Sequence, residues 1–214
     1  MKRLGADFYD EQYFVGEGKS NYLRLNPDGG YTRRLYLIYK QEQIKDVLAL
    51  SGYTQRWRPK NACVLGCAVG YLVEAMQMDG KTDAYGLDIS EYAIKRGTEE
   101  GIKNLIVGDM CSLPYDKDEF ELVIAFEVIE HIPEDDGQLA MALDEMVRIC
   151  NGYIVISTPS ADDDENPDQS DGDDPSHFSV HTQQWWATQF EKRGAQLFYQ
   201  KEANNSNLMV FEVK

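Results

Sequence analysis

The residues of this sequence best suited to chemistry fall in three groups. The run Gly66-Cys67-Ala68-Val69-Gly70 places small residues at every second position. Such a run turns tightly and lets a ligand approach backbone amides without meeting side chains. Asp88 and Asp109 each close an apolar stretch. A carboxylate at the first position can accept both hydroxyls of a ribose, and one at the second can accept from an exocyclic adenine amine. Taken singly, each is an ordinary turn-forming Asp. Taken with the glycine turn, they describe a pocket for adenosine. His131, His177 and His181 are the three histidines of the chain, and histidine is the side chain best matched to proton transfer near neutral pH.

A dinucleotide makes a further demand. Its fingerprint sets a third glycine three positions after the second, where helix and strand pack closely. Counted from Gly66 and Ala68, that position is Tyr71. The adenosine pocket is therefore expected to lack a pyrophosphate, which argues against NAD or FAD.

The elements that must hold these residues alternate. Short apolar runs predict strands from Ala62 to Leu65, Ala84 to Leu87, Leu105 to Val107, Glu121 to Phe126 and Tyr153 to Ser157. Helical spacing predicts a helix across 35–50, another carrying Leu72, Ala75 and Met76 inward, and one from Ser90, its N-cap, to about Gly97. A further helix from about Asp136 puts Leu139, Leu143, Met146, Val147 and Cys150 on one stripe, and another runs from about Thr182 to Lys192. Two last strands, Gln196 to Tyr199 and Leu208 to Val213, lie too close for a crossover helix and are expected to pair antiparallel. The fold class is thus α/β, a doubly wound and mostly parallel sheet of seven strands with an antiparallel C-terminal hairpin. Ligands of such sheets sit at the carboxyl ends of the strands, near the switch in strand order. The glycine turn, Asp88, Asp109 and the segment Phe126–His131 all fall there.

Composition narrows the partners. The 214 residues fit one α/β domain, with 1–34 read as an N-terminal arm and 35–214 as the domain itself. Acidic residues number 37 against 21 basic ones, a net charge of −16 that repels phosphate backbones and anionic membrane surfaces. No apolar run approaches the ~20 residues of a membrane span. The first residues lack the features of a secretory signal. The four cysteines form no CxxC pair and are expected to be reduced, so a cytoplasmic location is expected. The stretch Asp162 to Asp174 holds eight acids in thirteen residues. It reads as a solvated loop, with attraction of a cationic substrate or a divalent cation as the other readings. Its spacing is not that of a calcium loop, and no structural metal is expected.

The runs CVLGCAVGYL, AYGLDISEYAI, VGDMCSLPY and FELVIAFEVIEHIP resemble, in order and spacing, the successive motifs of the Rossmann-like S-adenosylmethionine-dependent methyltransferases. The likeness covers roughly residues 35–160, and HFSVHTQQWW resembles that family's substrate-side segment. The resemblance implies S-adenosyl-L-methionine as cofactor and S-adenosyl-L-homocysteine as product. It implies that Gly66, Cys67, Ala68 and Gly70 hold the methionine part, Asp88 with Ile89 the ribose, and Asp109 with Met110 the adenine. The backbone near Phe126 would help enclose the sulfonium. Two departures stand out. Val64 occupies the place of the family's usual acid, which leaves Glu11, Glu17 or carbonyls near Phe126 to meet the ammonium, and Ala68 replaces the middle glycine.

Methyl transfer from a sulfonium needs alignment above all, and aromatic faces suit its positive charge. Tyr9, Tyr13, Phe14, Tyr22 and Tyr31 make the arm either a lid over the cofactor or a segment docked on the core. Arg33 or Arg34 is a candidate partner for the methionine carboxylate. A hydroxyl acceptor needs a base, for which His177 is the first candidate, then His131 and His181. One of Trp185 and Trp186 is expected to pack and the other to wall the pocket. The expected acceptor is a small molecule, sugar-like or a secondary metabolite, methylated on a hydroxyl or amine. Protein or nucleic-acid methylation, and cofactor binding without catalysis, remain the alternatives.

Overall fold

A computed structural model describes residues 4–15, 31–32, 59–78, 80, 82–161, 176–203 and 206–214. The expected helix at 35–50, Glu17, Tyr22, Arg33, Arg34 and the acidic stretch 162–174 lie outside the described residues. Within them the strands are β1 Asn61–Leu65, β2 Asp83–Asp88, β3 Leu105–Val107, β4 Phe120–Phe126, β5 Cys150–Pro159, β6 Ala195–Ala203 and β7 Ser206–Val213. They form one sheet in the order β3-β2-β1-β4-β5-β7-β6. Neighbours from β3 to β5 are parallel, and β7 runs antiparallel to both β5 and β6. The α/β sheet with its antiparallel C-terminal hairpin is as the alternation predicts. Strand order reverses between β1 and β4, so a crevice opens at their carboxyl ends.

The central strands are apolar on both faces because helices cover both. In β1, Cys63 and Leu65 join the core on one face while Ala62 and Val64 join the core on the other. The second face carries α1 Glu11–Val15, α2 Tyr71–Gln77 and α3 Glu91–Glu99. The first carries α4 Gln138–Ile149 and α5 Gln183–Glu191, with Trp186 and Phe190 fully enclosed. Leu139, Leu143 and Met146 form the buried stripe of α4. Cys150 does not extend that stripe: its backbone is already extended, and it opens β5. β5 also runs past Ser157, because β7 pairs with it as far as Pro159. Among the described residues, no helix is long and apolar enough to cross a membrane.

Ser90 caps α3 as its position predicts, its Oγ accepting from the Ala93 N–H at 3.1 Å. Further along this helix Gly97 permits a close approach. A Cβ there would lie 2.1 Å from the Val69 carbonyl oxygen in the loop before α2. Gly97→Ala should therefore destabilise the protein by about 1–3 kcal/mol despite alanine's better helix propensity. Thermal unfolding should fall by roughly 2–4 °C per kcal/mol. A raised midpoint would show that helix propensity outweighs the contact.

Candidate functional site

The loop after β1 is built on left-handed backbone. Gly66, Ala68 and Gly70 have φ values of 62°, 50° and 92°. At Gly66 there is no room for a side chain, since a Cβ would stand 2.3 Å from Val128 Cγ2 across the β1–β4 gap. The Cys67 N–H donates to the Leu87 carbonyl at 3.1 Å and folds the loop over the end of β2. The Cys67 thiol is buried, and burial pushes its pKa well up, so this thiol is inert packing. All four cysteines are free.

Asp88 sits at the junction of loop, strand and helix. Its Oδ2 accepts from the Ala68 N–H at 2.7 Å, and its Oδ1 from the Ser90 N–H at 2.8 Å. Burial raises its pKa, and the N–H groups of Ser90, Ala68 and Ile89 act in the opposite direction. Each carboxylate oxygen offers about two acceptor sites, so capacity remains for donors arriving from the cleft. Ser90 in turn donates its hydroxyl to the Tyr9 carbonyl, which fastens the arm to the same point.

A cleft opens here, with about 660 Å³ of space that includes open solvent at its mouth. Gly66, Ala68, Asp88, Ile89, Met110, Tyr13 and Phe14 line it. Cys67, Gly70, Asp109 and Phe126 are not among its lining residues. Phe126 is buried at the end of β4, and Asp109 Oδ1 accepts from the Cys111 N–H at 2.8 Å, shaping the turn that presents Met110. The aromatic arm forms the roof. Tyr9 and Tyr13 meet edge to face at 4.9 Å, and Phe14 stacks beside Tyr92 of α3 at 6.0 Å. Tyr31 stacks on Tyr71 at 5.8 Å, so the bulk at position 71 serves to dock the arm.

Tyr9 lines the cleft with Tyr13 and Phe14 of the arm, and Glu127 and Val128 line it from the segment Phe126–His131, in which the sequence singles out neither by itself. Glu127 carries φ 55° directly after β4, and its signal was a lone acid closing an apolar strand. Val64 is buried in β1, and Glu11, one candidate to replace the family's acid there, is exposed on α1.

The histidines separate. His131 ends a 3₁₀ turn, Ile129–His131, and lines the cleft. His177 stands against it, ring centres 4.9 Å apart. Neither His177 nor His181 is among the cleft-lining residues. The His181 Nε2 is 2.7 Å from Glu134 Oε1, and its ring stacks on Trp185 at 3.7 Å. Trp186 packs in the core as expected of one of the pair, but Trp185 covers His181 and does not wall the cleft.

A model of the family described as methyltransferase domain matches residues 36–200. The norajmaline N-methyltransferase of Rauvolfia serpentina is 29% identical over 100 residues, which are 43% of this chain and 32% of that protein. The match thus spans about a third of that relative's length. Magnesium protoporphyrin IX methyltransferase from Synechocystis PCC 6803, solved with bound SAH, superposes with a TM-score of 0.68 at 16% identity, over 95% of this chain and 97% of that one. The PH0226 protein from Pyrococcus horikoshii OT3 gives 0.66 at 18% identity, covering 91% and 95%.

Asp88→Ala should remove the acceptor for a ribose and leave buried hydroxyls unpaired. Affinity for S-adenosyl-L-homocysteine in calorimetry should drop by about 1–3 kcal/mol, roughly 5- to 150-fold. Unchanged affinity would remove Asp88 from the site.

Proposed function

We propose that this chain, which belongs to the methyltransferase domain family, transfers a methyl group to a hydroxyl or amine of a small molecule. Its cofactor is S-adenosyl-L-methionine, which supplies an electrophilic methyl on a sulfonium. The observation that carries the reading is the cleft at the β1–β4 switch, with the Asp88 carboxylate held by two backbone N–H groups and facing into it.

Each wall has a distinct task. Asp88 accepts the ribose hydroxyls, and Ile89 packs beside them. Met110 lies against the adenine face, with Asp109 setting the turn that aims it. Gly66 and Ala68 present backbone, not side chain, to the methionine part, on the turn that Cys67 and Gly70 close through the Gly70 N–H and the Cys67 carbonyl. Glu127 brings negative charge to the cationic end of the cleft, a role that Val64 cannot fill. Tyr13 and Phe14, within an arm of residues 1–34 over a domain of 35–214, exclude water and offer aromatic faces to positive charge. The acceptor meets the methyl beside His131 and His177, where alignment of acceptor, methyl and sulfur contributes ~7–11 kcal/mol.

A small acceptor fits the roofed cleft and the net charge of −16, which opposes a polyanionic partner. The relative from Rauvolfia serpentina, an N-methyltransferase by name, also favours a small acceptor. Incubation with methyl-labelled S-adenosyl-L-methionine should label members of a panel of small alcohols, phenols and amines, and should label neither transfer RNA nor peptides. Label in RNA or peptide would replace the small-molecule reading. Cofactor binding with no label anywhere would make the protein a binder without chemistry.

A further inference from the structure

We propose that Glu130, His131 and His177 form a divalent-cation site at the acceptor end of the cleft, and that its open positions take the oxygen of a hydroxyl acceptor. The proposal rests on the methyltransferase reading for its role, but not for its geometry.

The ligand atoms of these three side chains lie within 4.8 Å of one another. The orientation of His131 is set from behind. Its Nδ1 is 3.0 Å from the Ser176 carbonyl oxygen, which only accepts, so Nδ1 carries the hydrogen. In the neutral ring Nε2 then holds the lone pair. That nitrogen faces Glu130 Oε1 at 3.9 Å. The separation exceeds the ~2.7–2.9 Å of a charge-assisted hydrogen bond between such atoms. It is within reach of two ligands each ~2.0–2.2 Å from one shared metal ion. A backbone carbonyl gripping the far nitrogen is how metal-binding imidazoles are commonly fixed.

The third ligand is delivered by a built contact between two distant segments. The Glu130 carbonyl accepts from the Phe178 N–H at 2.8 Å and the Ser179 N–H at 3.0 Å, and Ser179 Oγ donates to the Ile132 carbonyl at 2.6 Å. These bonds hold His177 over the Glu130–His131 turn. Glu130 itself has no exposure to solvent. Two imidazoles and one carboxylate are a donor set for first-row divalent cations, and three ligands leave positions open. Of the three, His131 lines the cleft, and through it the open positions border the acceptor space.

The cation lowers the pKa of a coordinated acceptor hydroxyl, whose proton passes to water. The oxygen then bonds to the methyl carbon as the carbon–sulfur bond breaks, and the sulfonium becomes a neutral thioether. In this arrangement His177 is a ligand and not the base, and the preferred acceptor is a hydroxyl.

The test starts from the full chain stripped with EDTA and dialysed. Mn²⁺ is then titrated in with free ion followed by electron paramagnetic resonance, on wild type, His177→Asn and Glu130→Gln. One Mn²⁺ per chain is expected in wild type, bound at least 10-fold more weakly by both variants. Glu130 is fully buried, so His177→Asn carries the decision if Glu130→Gln fails to fold, with thermal unfolding as the check. With a hydroxyl acceptor, EDTA should abolish turnover and Mn²⁺ should restore it, while S-adenosyl-L-homocysteine affinity changes less than 2-fold. Equal Mn²⁺ binding by wild type and His177→Asn places the ion on the acidic surface and overturns the proposal. Full turnover in EDTA that still falls in His177→Asn overturns it in favour of His177 as base. Absence of cofactor binding would strike the methyltransferase reading alone, because the Mn²⁺ titration is read without it.

Discussion

The Asp88 carboxylate is the point on which the cleft depends. Its two oxygens hold the N–H of Ala68 in the β1 loop and of Ser90 at the head of α3. Ser90 carries the chain of contacts onward, capping α3 through Ala93 and holding the Tyr9 carbonyl. One buried acid therefore fixes the loop that faces the ligand, the helix beneath it and the arm above it. Burial pushes its pKa up, and the backbone N–H groups of Ala68 and Ser90 that act against this are the ones it positions. Loss of the carboxylate would disturb the site even before any ligand arrived.

Much of the fold was legible because the alternation of apolar runs and helical stripes is decided locally. β3 matches its expected bounds, and the Ser90 cap was readable from residue type alone. The strand ends were less legible. β5 is longer than its apolar run because β7 supplies a partner for residues as far as Pro159, a pairing that no local pattern announces. Cys150 falls on the helical stripe by spacing. Its extended backbone is settled by pairing with Phe120.

The site divides along the same line. One side of the cleft is local, since turns and strand ends fall where spacing puts them, and Gly66, Ala68, Asp88 and Met110 line it. The side around His131 is made by contacts distant in sequence. His177 and His181, four residues apart in an extended segment, would point the same way by alternation alone. Instead the Glu130 carbonyl grips the N–H groups of Phe178 and Ser179 between them. His177 turns to His131, while His181 turns to Glu134 and Trp185. Hydrogen bonds spanning nearly fifty residues of sequence decide which histidine packs against the cleft-lining His131.

Two residues on facing walls of the cleft keep a backbone that side chains rarely adopt. Ala68 has φ 50° and Glu127 φ 55°, each costing about 1–2 kcal/mol relative to ordinary helical or extended backbone. Both are held there from outside themselves. The Ala68 N–H is fixed on Asp88, and the Glu127 N–H donates to the Ser157 carbonyl of β5 at 2.8 Å. Strain persists where surrounding bonds over-determine the conformation, and it gathers at ligand sites. At Glu127 the bent backbone sets the only carboxylate besides Asp88 among the cleft-lining residues, on the β4 side of the switch, opposite the glycine loop. At Ala68 it aims an N–H at Asp88 with a methyl group where glycine would be unstrained. The sheet core, with Val155, Ile156 and Val123 fully buried, supplies the rigidity against which both distortions are held.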